Sequence, residues 1–397
     1  MLTTVLNKSA GSDLTRMSGS QHAGFTVAVR RDVGHAVAVA ARLLQGGSAT
    51  VFQSAVWVEA FARTVAAERG CAFFMVEVRA TESGRPVMLL PFLLRERRGF
   101  RLLEVPDFGL ADYVAPMFAR GFDPDRQTMH RIWAQVRAVL PKADVVRFVK
   151  MPGEVGGRVN PLVRLSGTRC SSLTAWGVDL GPVETIWRDA IACDKRRADL
   201  DARWRKLNKR GVVEFRTAST EADADAFFET MVQQRSERFR ALNFPNALDK
   251  PEIRDLYRSL LRPGEPASPA VVQALLVDGR IVATGYGLVG NGAFHMIFPT
   301  FQAETWRNYS PGLQLFRKSM EWSARKGLRY YDFTVGSEGF KRDFGAREQP
   351  LFERYEALSF AGLLPVGYVA LHRFIRTQPW LASLLRAVKS MFMSGGR

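Results

Sequence analysis

The stretch RNYSPGLQLFRKSMEWSARKGLRYYDF, residues 307–333, predicts a loop, a helix, a tight turn and a strand. Ser310 and Pro311 are typical of a helix start, because a serine hydroxyl can cap a free backbone N–H and proline needs none at the first helical position. We expect the helix over residues 311–326, followed by Gly327 in a left-handed C-terminal position. The aromatic and β-branched residues that follow predict a strand.

The first turn of this predicted helix contains no acidic residue. Free N–H groups at a helix start carry partial positive charge, so such an end attracts anions when no carboxylate neutralises it. The alternative is an ordinary capped helix that binds no ligand. The residues of this turn leave both interpretations open.

Composition restricts the class of protein. The length of 397 residues predicts two or three domains, and 47% hydrophobic residues suffice for real cores. No apolar run reaches 18 residues, so we expect no transmembrane helix, and the polar N-terminus reads as a loose tail without a signal region. The spacing typical of a metal site is found neither among the three cysteines (Cys71, Cys170 and Cys193) nor among the five scattered histidines. These features predict a cytoplasmic protein without a metal.

The net charge of +17 is unevenly distributed. Residues 194–210 carry eight basic and three acidic side chains, and residues 358–397 carry five basic and no acidic ones. Such a charge predicts attraction to anionic partners, among which we consider CoA phosphates, nucleotides, nucleic acid and anionic lipid.

The order of predicted elements repeats along the chain. Each half reads helix, strand, turn, strand, strand, helix and strand, with similar turns in ESGRPV (residues 82–87) and VDGRIV (residues 277–282). Asp-Gly between apolar runs is a strong hairpin signal, and a helical crossover to the last strand implies partly parallel pairing. We therefore predict an α+β fold of two units, each a mixed, mostly antiparallel sheet flanked by helices. The predicted divisions are a flexible tail (1–25), an N-terminal domain (26–165), a linker with a basic helix (166–205), a C-terminal domain (206–360) and a basic amphipathic tail (361–397).

Five blocks of sequence, spread over residues 50–358, carry a resemblance to a known family. They are FQSAVWVEAF (52–61), DYVAP (112–116), KRRADLDARWRKLNKRGVVEFR (195–216), LLVDGRIVATGYGLV (275–289) and NYSPGLQLFRKSMEWSARKGLRYYDFTVGSEGFKRDFG (308–345). The second half resembles the Gcn5-related N-acetyltransferase (GNAT) fold. More narrowly, the chain is similar to CelD/BcsL-type acyltransferases of bacterial exopolysaccharide synthesis, which are related in architecture to FemAB aminoacyltransferases. The resemblance implies two tandem GNAT-like domains.

The resemblance also implies a role for the helix start. In the GNAT fold, the helix after the central strand holds the pyrophosphate of acyl-CoA at its N-terminus, and the resemblance implies acetyl-CoA or another acyl-CoA as the donor here. The usual loop reads Q/R-x-x-G-x-G/A, of which this chain keeps the leading arginine and the last glycine. FemAB relatives use aminoacyl-tRNA, which remains the alternative donor. The expected binding residues are Arg307, Asn308, Tyr309, Ser310, Pro311 and Gly312.

Transfer of an acyl group to an amine requires a proton acceptor, because the amine attacks only as the neutral base. Asp332 lies mid-strand, where an unpaired carboxylate is costly, so we expect Lys341 or Arg342 as its partner. Its role is either that of a base or amine anchor, or that of a structural ion pair. His295 is the second candidate base, since imidazole suits this work, with a structural histidine as the alternative.

Three further residues complete the predicted site. Tyr309 is the candidate acid for the leaving thiolate, and its alternative role is that of a loop aromatic covering the core. Glu338 and Lys341 lie in a glycine-flanked loop after the strand, where they are candidates for binding a sugar.

The basic segment and the C-terminal tail have several interpretations. The basic helix is either a solvated face, a site for a polyanion or the CoA 3′-phosphate, or, least favoured, an RNA site. The tail mixes aromatic, leucine and basic residues, which is typical of amphipathic helices on a membrane surface, with packing onto the domain as the alternative. Arg373, Arg376 and Arg386 are also candidates for binding a regulatory dinucleotide such as cyclic di-GMP.

Together, these features predict a cytoplasmic enzyme that transfers an acyl group, most simply acetyl, from CoA to an amino sugar of an exopolysaccharide precursor. The tail would place it at the inner face of the membrane. The alternatives are an aminoacyl-tRNA-dependent transferase and a non-catalytic scaffold that binds membrane and nucleotide.

Overall fold

A computed structural model describes residues 24–186, 188, 194–265, 268–336 and 339–377, without the side chains of 376 and 377. Within these ranges the helices at Val33–Leu43, Arg126–Val139, Glu221–Ala241 and Pro311–Arg325 have buried faces and contact strands of the sheet. The first half contains helices at Val33–Leu43, Ala55–Phe61 and Arg126–Val139, and the second half at Asp194–Asn208, Glu221–Ala241, Pro251–Ser259, Pro311–Arg325 and Leu363–Thr377, with single turns at Ala303–Trp306 and Phe340–Asp343. We call Asp194–Asn208 the basic helix, Pro311–Arg325 the central helix and Leu363–Thr377 the terminal helix.

Most of the strands, numbered in chain order, form one large sheet. They are β1 (Phe25–Arg30), β2 (Ala72–Ala80), β3 (Pro86–Arg97), β4 (Phe100–Glu104), β5 (Met117–Phe118), β6 (Val145–Pro152), β7 (Glu154–Val155), β8 (Arg158–Val159), β9 (Arg169–Asp179), β10 (Val213–Thr217), β11 (Ala270–Val277), β12 (Arg280–Gly290), β13 (Ala293–Phe301), β14 (Tyr330–Val335) and β15 (Arg347–Ala357). The strand order is β1-β2-β3-β4-β6-β15-β9-β14-β13-β12-β11-β10, with β5 beside β3 and β7 paired with β8 in a separate ribbon.

The pairing confirms the predicted fold class. Within the described ranges, β4 with β6 and β13 with β14 are parallel, and the other pairs of the large sheet are antiparallel. A helix precedes the second strand of each parallel pair, as the crossover argument requires. The predicted hairpin turns are also confirmed, because their central residues have positive φ values. These are 48° at Asp278 and 76° at Gly279 in one turn, and 53° at Asn291 and 72° at Gly292 in the next.

Strand β9 corrects one prediction about the domain organisation. We expected residues 166–205 to be a linker with a basic helix, but this segment includes β9, which lies inside the sheet between β14 and β15. Strand β15 in turn pairs with β6 of the first half. The two halves are therefore joined by strand pairing and share one continuous sheet.

Side chains of both halves also share one core. Trp57 packs edge-on against Tyr257 with ring centroids 5.7 Å apart, and the Tyr257 hydroxyl donates a hydrogen bond of 3.0 Å to the Leu110 carbonyl. Arg69 forms an ion pair of 3.1 Å with Glu252 at the edge of this contact. These contacts fix the loop after β4 against the second half, which positions the site described next.

Candidate active site

Strands β13 and β14 pair over three residues and then separate. Their register is Ala293↔Tyr330, Phe294↔Tyr331 and His295↔Asp332. After Asp332, a bulge shifts β14 relative to β9, and Thr334 has a φ of 58°, which is unusual for a β-branched residue. The strands therefore form a wedge with His295 and Asp332 at its apex, opening toward their carboxyl ends, where the central helix begins.

Asp332 is the centre of a buried hydrogen-bond network at this apex. Its Oδ2 atom lies 2.7 Å from His295 Nδ1, and its Oδ1 atom accepts hydrogen bonds from the Tyr113 hydroxyl at 2.9 Å and the Thr334 N–H at 2.7 Å. All four residues are less than a tenth exposed. Burial, followed by the Asp332 charge, raises the pKa of Tyr113 well above its usual range. Tyr113 therefore stays protonated and donates to the carboxylate.

The predicted partners of Asp332 were wrong. The Lys341 ammonium donates to the carbonyls of Thr334 at 3.2 Å and Gly336 at 3.4 Å. The Arg342 guanidinium lies 5.2 Å from the ring centroid of Trp176. Lys341 thus holds the backbone that follows the bulge, whereas the charge of Asp332 is satisfied by hydrogen bonds from a tyrosine, a histidine and an amide.

The His295 ring has one nitrogen fixed by a hydrogen bond and one buried nitrogen without a partner among the described residues. Because an ionised carboxylate only accepts hydrogen bonds, Nδ1 carries the proton in the bond to Asp332. The neutral ring then presents Nε2 as an acceptor, and Nε2 has no hydrogen-bond partner among the described residues. This arrangement orients an imidazole so that its free nitrogen can take a proton.

The first half supplies a second carboxylate to the site. Asp112 precedes Tyr113 and is half-buried. Burial raises its pKa to about 6, against the lowering effect of Lys150, while the Asp332 charge raises it further and a hydrogen bond from the Thr334 side chain lowers it. Lys150 also donates to Asp107 at 3.1 Å and to the Ala111 carbonyl at 2.6 Å, which fixes this loop.

Sequence reasoning singled out DYVAP but gave none of its residues a role in the site. The structure shows that the block FQSAVWVEAF holds it in place. The buried Gln53 side chain donates to the Tyr113 carbonyl at 3.1 Å and accepts from the Ala115 N–H at 3.1 Å. The available signal was an aspartate directly before a tyrosine, at Asp112 and Tyr113. The carboxylate to which Tyr113 donates, Asp332, lies in the other half of the chain.

The start of the central helix differs in detail from the prediction. Ser310 has a left-handed backbone (φ 51°, ψ 49°), and its side chain makes no capping hydrogen bond, so the expected serine cap was wrong. The first turn does lack acidic residues. Arg203 of the basic helix donates to Ser310 Oγ at 3.2 Å and to the Asn308 carbonyl at 3.4 Å. The same guanidinium also pairs with Asp199 at 3.0 Å, so a cation that is partly balanced by a carboxylate lies where the helix dipole is positive.

The basic helix is attached along the central helix rather than free in solvent. The buried Gln314 amide donates to the Leu200 carbonyl at 2.8 Å, and Arg317 pairs with Asp201 at 2.8 Å. Gly312 lies against Phe301, since an added Cβ would come within 3.1 Å of that ring. These contacts hold Arg203 beside the helix start.

The structure brings some predicted site residues together and separates others. His295 and Asp332 are in direct contact, with Lys341 behind the bulge. Tyr309 instead packs on Trp306, with ring centroids 5.8 Å apart, over a hydrophobic cluster. Arg307 and Asn308 are exposed at the helix start, Pro311 is buried, and Arg373 pairs with Glu353. Glu338, Arg386 and the Arg376 side chain lie outside the described residues.

Residues 194–342 match the acetyltransferase (GNAT) domain family. This part of the chain is similar to GNAT domains. It includes the basic helix, the wedge, the central helix and the His295–Asp332 pair. Among curated protein sequences, none is significantly similar to this chain.

Solved structures with the same fold extend the comparison beyond the GNAT domain. FemX aligns with 81% of this chain and 95% of its own, at 10% identity and a TM-score of 0.56. The C-terminal domain (DUF2156) of a putative lysylphosphatidylglycerol synthetase from Agrobacterium fabrum aligns with 86% of this chain and 98% of its own, at 14% identity and a TM-score of 0.52. A tandem GNAT protein from the clavulanic acid biosynthesis pathway aligns with 84% of this chain and 99% of its own, at 13% identity and a TM-score of 0.45. The first two likenesses show that the fold spans both halves.

Proposed function

We propose that this chain is an acyl-CoA-dependent N-acyltransferase that acts on an amino sugar. The observation that carries the proposal is the His295–Asp332 pair at the apex of the wedge within a GNAT domain, because His295 Nε2 is an oriented proton acceptor. General acid–base catalysis of this kind contributes about 10²–10⁴-fold to a rate.

The start of the central helix fits the diphosphate of CoA. Its first turn carries no carboxylate, Arg203 lies beside it, and Arg307 is exposed next to it. In this proposal Arg203 and Arg307 bind the phosphates together with the backbone of residues 308–312, as helix N-termini bind anions elsewhere. Six extended residues, about 20 Å, separate His295 from Phe301 at the end of β13, so the wedge would hold the arm between diphosphate and thioester. Acyl-CoA, when bound, supplies an activated acyl group.

The residues of the apex have distinct roles in this proposal. His295 Nε2 takes the proton from the attacking amine. Asp332 holds the ring in the required tautomer and stabilises the positive charge that the ring then carries, as carboxylates do beside catalytic histidines. Tyr113 and the Thr334 N–H fix the carboxylate, so they act as positioning groups.

The choice of an amino sugar rests on the resemblance to CelD/BcsL-type enzymes of exopolysaccharide synthesis. The rim of the apex offers polar groups that suit sugar hydroxyls, namely the half-buried Asp112 and Tyr330. The acetyl group is the simplest acyl chain for this transfer. In this proposal Lys341 supports the acceptor side by holding the backbone after the bulge, and Glu338, in the same loop of the sequence, is a candidate for binding the sugar. Tyr309 lies at the diphosphate end of the wedge, so the leaving thiolate takes its proton from the His295 imidazolium instead.

Aminoacyl transfer from tRNA is the second candidate. The basic helix, which packs on the central helix, favours including it, because a cationic surface suits an RNA donor. The fold shared with FemX at 10% identity says nothing about the donor, so the two candidates must be separated by experiment.

The experiment is a thiol-release assay with acetyl-CoA and a panel of nucleotide-linked and lipid-linked amino sugars. Acceptor-stimulated release that is lost in His295→Gln supports the proposal. Transfer that requires aminoacyl-tRNA would support the FemX-like function instead. Binding of CoA without turnover of any acceptor or tRNA would indicate a scaffold and would overturn the catalytic assignment.

A further inference from the structure

The terminal helix has an exposed apolar stripe. Leu363, Leu364, Tyr368, Leu371 and Phe374 are 55%, 73%, 66%, 58% and 56% exposed. At 100° per residue these five positions fall within an arc of about 140°. Phe360, just before the helix, is 90% exposed. Soluble proteins rarely leave so many large apolar side chains together in water unless the surface contacts a partner.

The opposite side of the helix is docked on the protein. Val366, Val369 and Arg373 are partly buried, and Arg373 pairs with Glu353 of β15. The segment before the helix is also fixed, since the Ser359 hydroxyl donates to Asp144 at 2.7 Å. The helix is therefore held on the protein through this side while the stripe stays exposed, with Tyr368 and Phe374 at the margin of the contact with β9 and β15.

The charge of this part of the sequence restricts the partner. Residues 358–397 contain five lysines and arginines and no acidic residue, within a chain of net charge +17. An apolar helix face in a basic segment of sequence without acidic residues matches a bilayer surface that contains anionic lipid, where apolar side chains enter the boundary region and basic ones meet the headgroups. No helix in the described ranges is long and apolar enough to cross a bilayer.

We propose that the stripe of the terminal helix binds the surface of a membrane containing anionic lipid, with the helix lying parallel to the bilayer. This places the protein on the membrane through one docked helix, with the sheet above it. The proposal stands on exposure and charge, and it does not depend on the proposed acyl transfer.

The test is co-sedimentation of the full chain with phosphatidylcholine vesicles, with and without about 30% phosphatidylglycerol. We expect binding to the anionic vesicles at least about tenfold tighter than to the neutral ones, weakening with salt. Leu371→Glu, at a position that is 58% exposed, should weaken binding about tenfold because it removes apolar contact and adds a repelled charge.

Phe244→Glu is the matched control, because Phe244 is equally exposed, at 63%, but lies in a loop outside the stripe. Phe244→Glu should bind anionic vesicles as tightly as the unaltered chain does. If it weakened binding as much as Leu371→Glu does, a general charge effect would govern binding and the proposal would be overturned. Failure of the unaltered chain to bind anionic vesicles would overturn it as well. So would a dimer in light scattering that Leu371→Glu dissociates, because a second copy would then cover the stripe.

Discussion

Tyr113 and Asp332, which are 219 residues apart in sequence, share a hydrogen bond of 2.9 Å at the apex of the wedge. The tyrosine belongs to the first half of the chain and the aspartate to the part that matches the GNAT domain family. The carboxylate that orients His295 is therefore fixed from both halves. A site made in this way is sensitive to the packing between the halves as well as to its own residues.

Asp332→Asn should lower kcat by about 10²–10⁴-fold, with a smaller effect on the KM for acyl-CoA, because the amide no longer fixes the His295 tautomer. The measurement is acceptor-dependent thiol release, with circular dichroism to check folding. Asp179→Asn, at a mostly exposed position in β9, is the control and should retain activity. Full activity of Asp332→Asn would show that the pair is structural.

Tyr113→Phe should destabilise the protein by about 1–3 kcal/mol, because it leaves a buried carboxylate oxygen with one donor fewer. Activity should also fall, although less than in Asp332→Asn. Tyr331→Phe is the matched control, since the buried Tyr331 hydroxyl bonds to Ser319 on the other face of the same sheet. Urea unfolding and turnover should separate the two variants: both lose stability, but only Tyr113→Phe loses activity. Equal activity of the two would contradict a positioning role.

Asp112 should make stability depend on pH in a predictable direction. Its pKa is raised from 3.8 to about 6, so the folded state binds the proton more tightly than the unfolded state does. Ionised Asp112 therefore costs stability, and this cost grows as pH rises from about 4 through about 6. Relative to the unaltered protein, Asp112→Asn should gain about 2–3 kcal/mol between pH 4 and pH 7.5.

The measurement is urea unfolding of both proteins at the two pH values. Asp123→Asn, at a position whose side chain is 68% exposed, is the control and should show no such gain. If the difference in unfolding free energy between Asp112→Asn and the unaltered protein stayed constant with pH, burial would not raise the pKa of Asp112.

Arg203→Ala should raise the Kd for CoA about tenfold, since a charge-assisted contact to phosphate is worth about 1.5–3 kcal/mol and this side chain is one-third exposed. Calorimetry with CoA measures it. Arg205→Ala, an exposed position on the same helix, is the control and should change the Kd little. A thioester substrate without the diphosphate should be used equally well by both variants. If Arg203→Ala lost as much activity with this short substrate as with acyl-CoA, Arg203 would lie outside the phosphate site.

Much of the second half could be predicted from the sequence because its signals are local. Helical spacing from Pro311 onward, the Asp-Gly and Asn-Gly turns and the β-branched strands all describe structure within a few residues of each signal. By contrast, β9 and β15 have weak local signals, since one is rich in serine and threonine and the other contains a proline and several charges. Pairing with strands far away in the sequence decides their place.

The candidate site shows the same division. His295 and Asp332 could each be selected, because a histidine and a carboxylate in apolar strands need partners. The partner of Asp332 could not be predicted, since Lys341 is near in sequence while Tyr113 is near only in the folded chain. Likewise, Arg203 belonged to a basic helix whose docking on the central helix depends on contacts such as Gln314 to Leu200.

The insertion of β15 beside β6 has a consequence for synthesis of the chain. The ribosome must add about 195 residues after β6 ends at Pro152 before β15 begins at Arg347, which takes about 10–40 s at typical elongation rates. Throughout that interval the nascent first half carries an unpaired strand edge, the kind of surface on which neighbouring chains aggregate. Chaperone occupancy during translation should therefore be greatest between these two points.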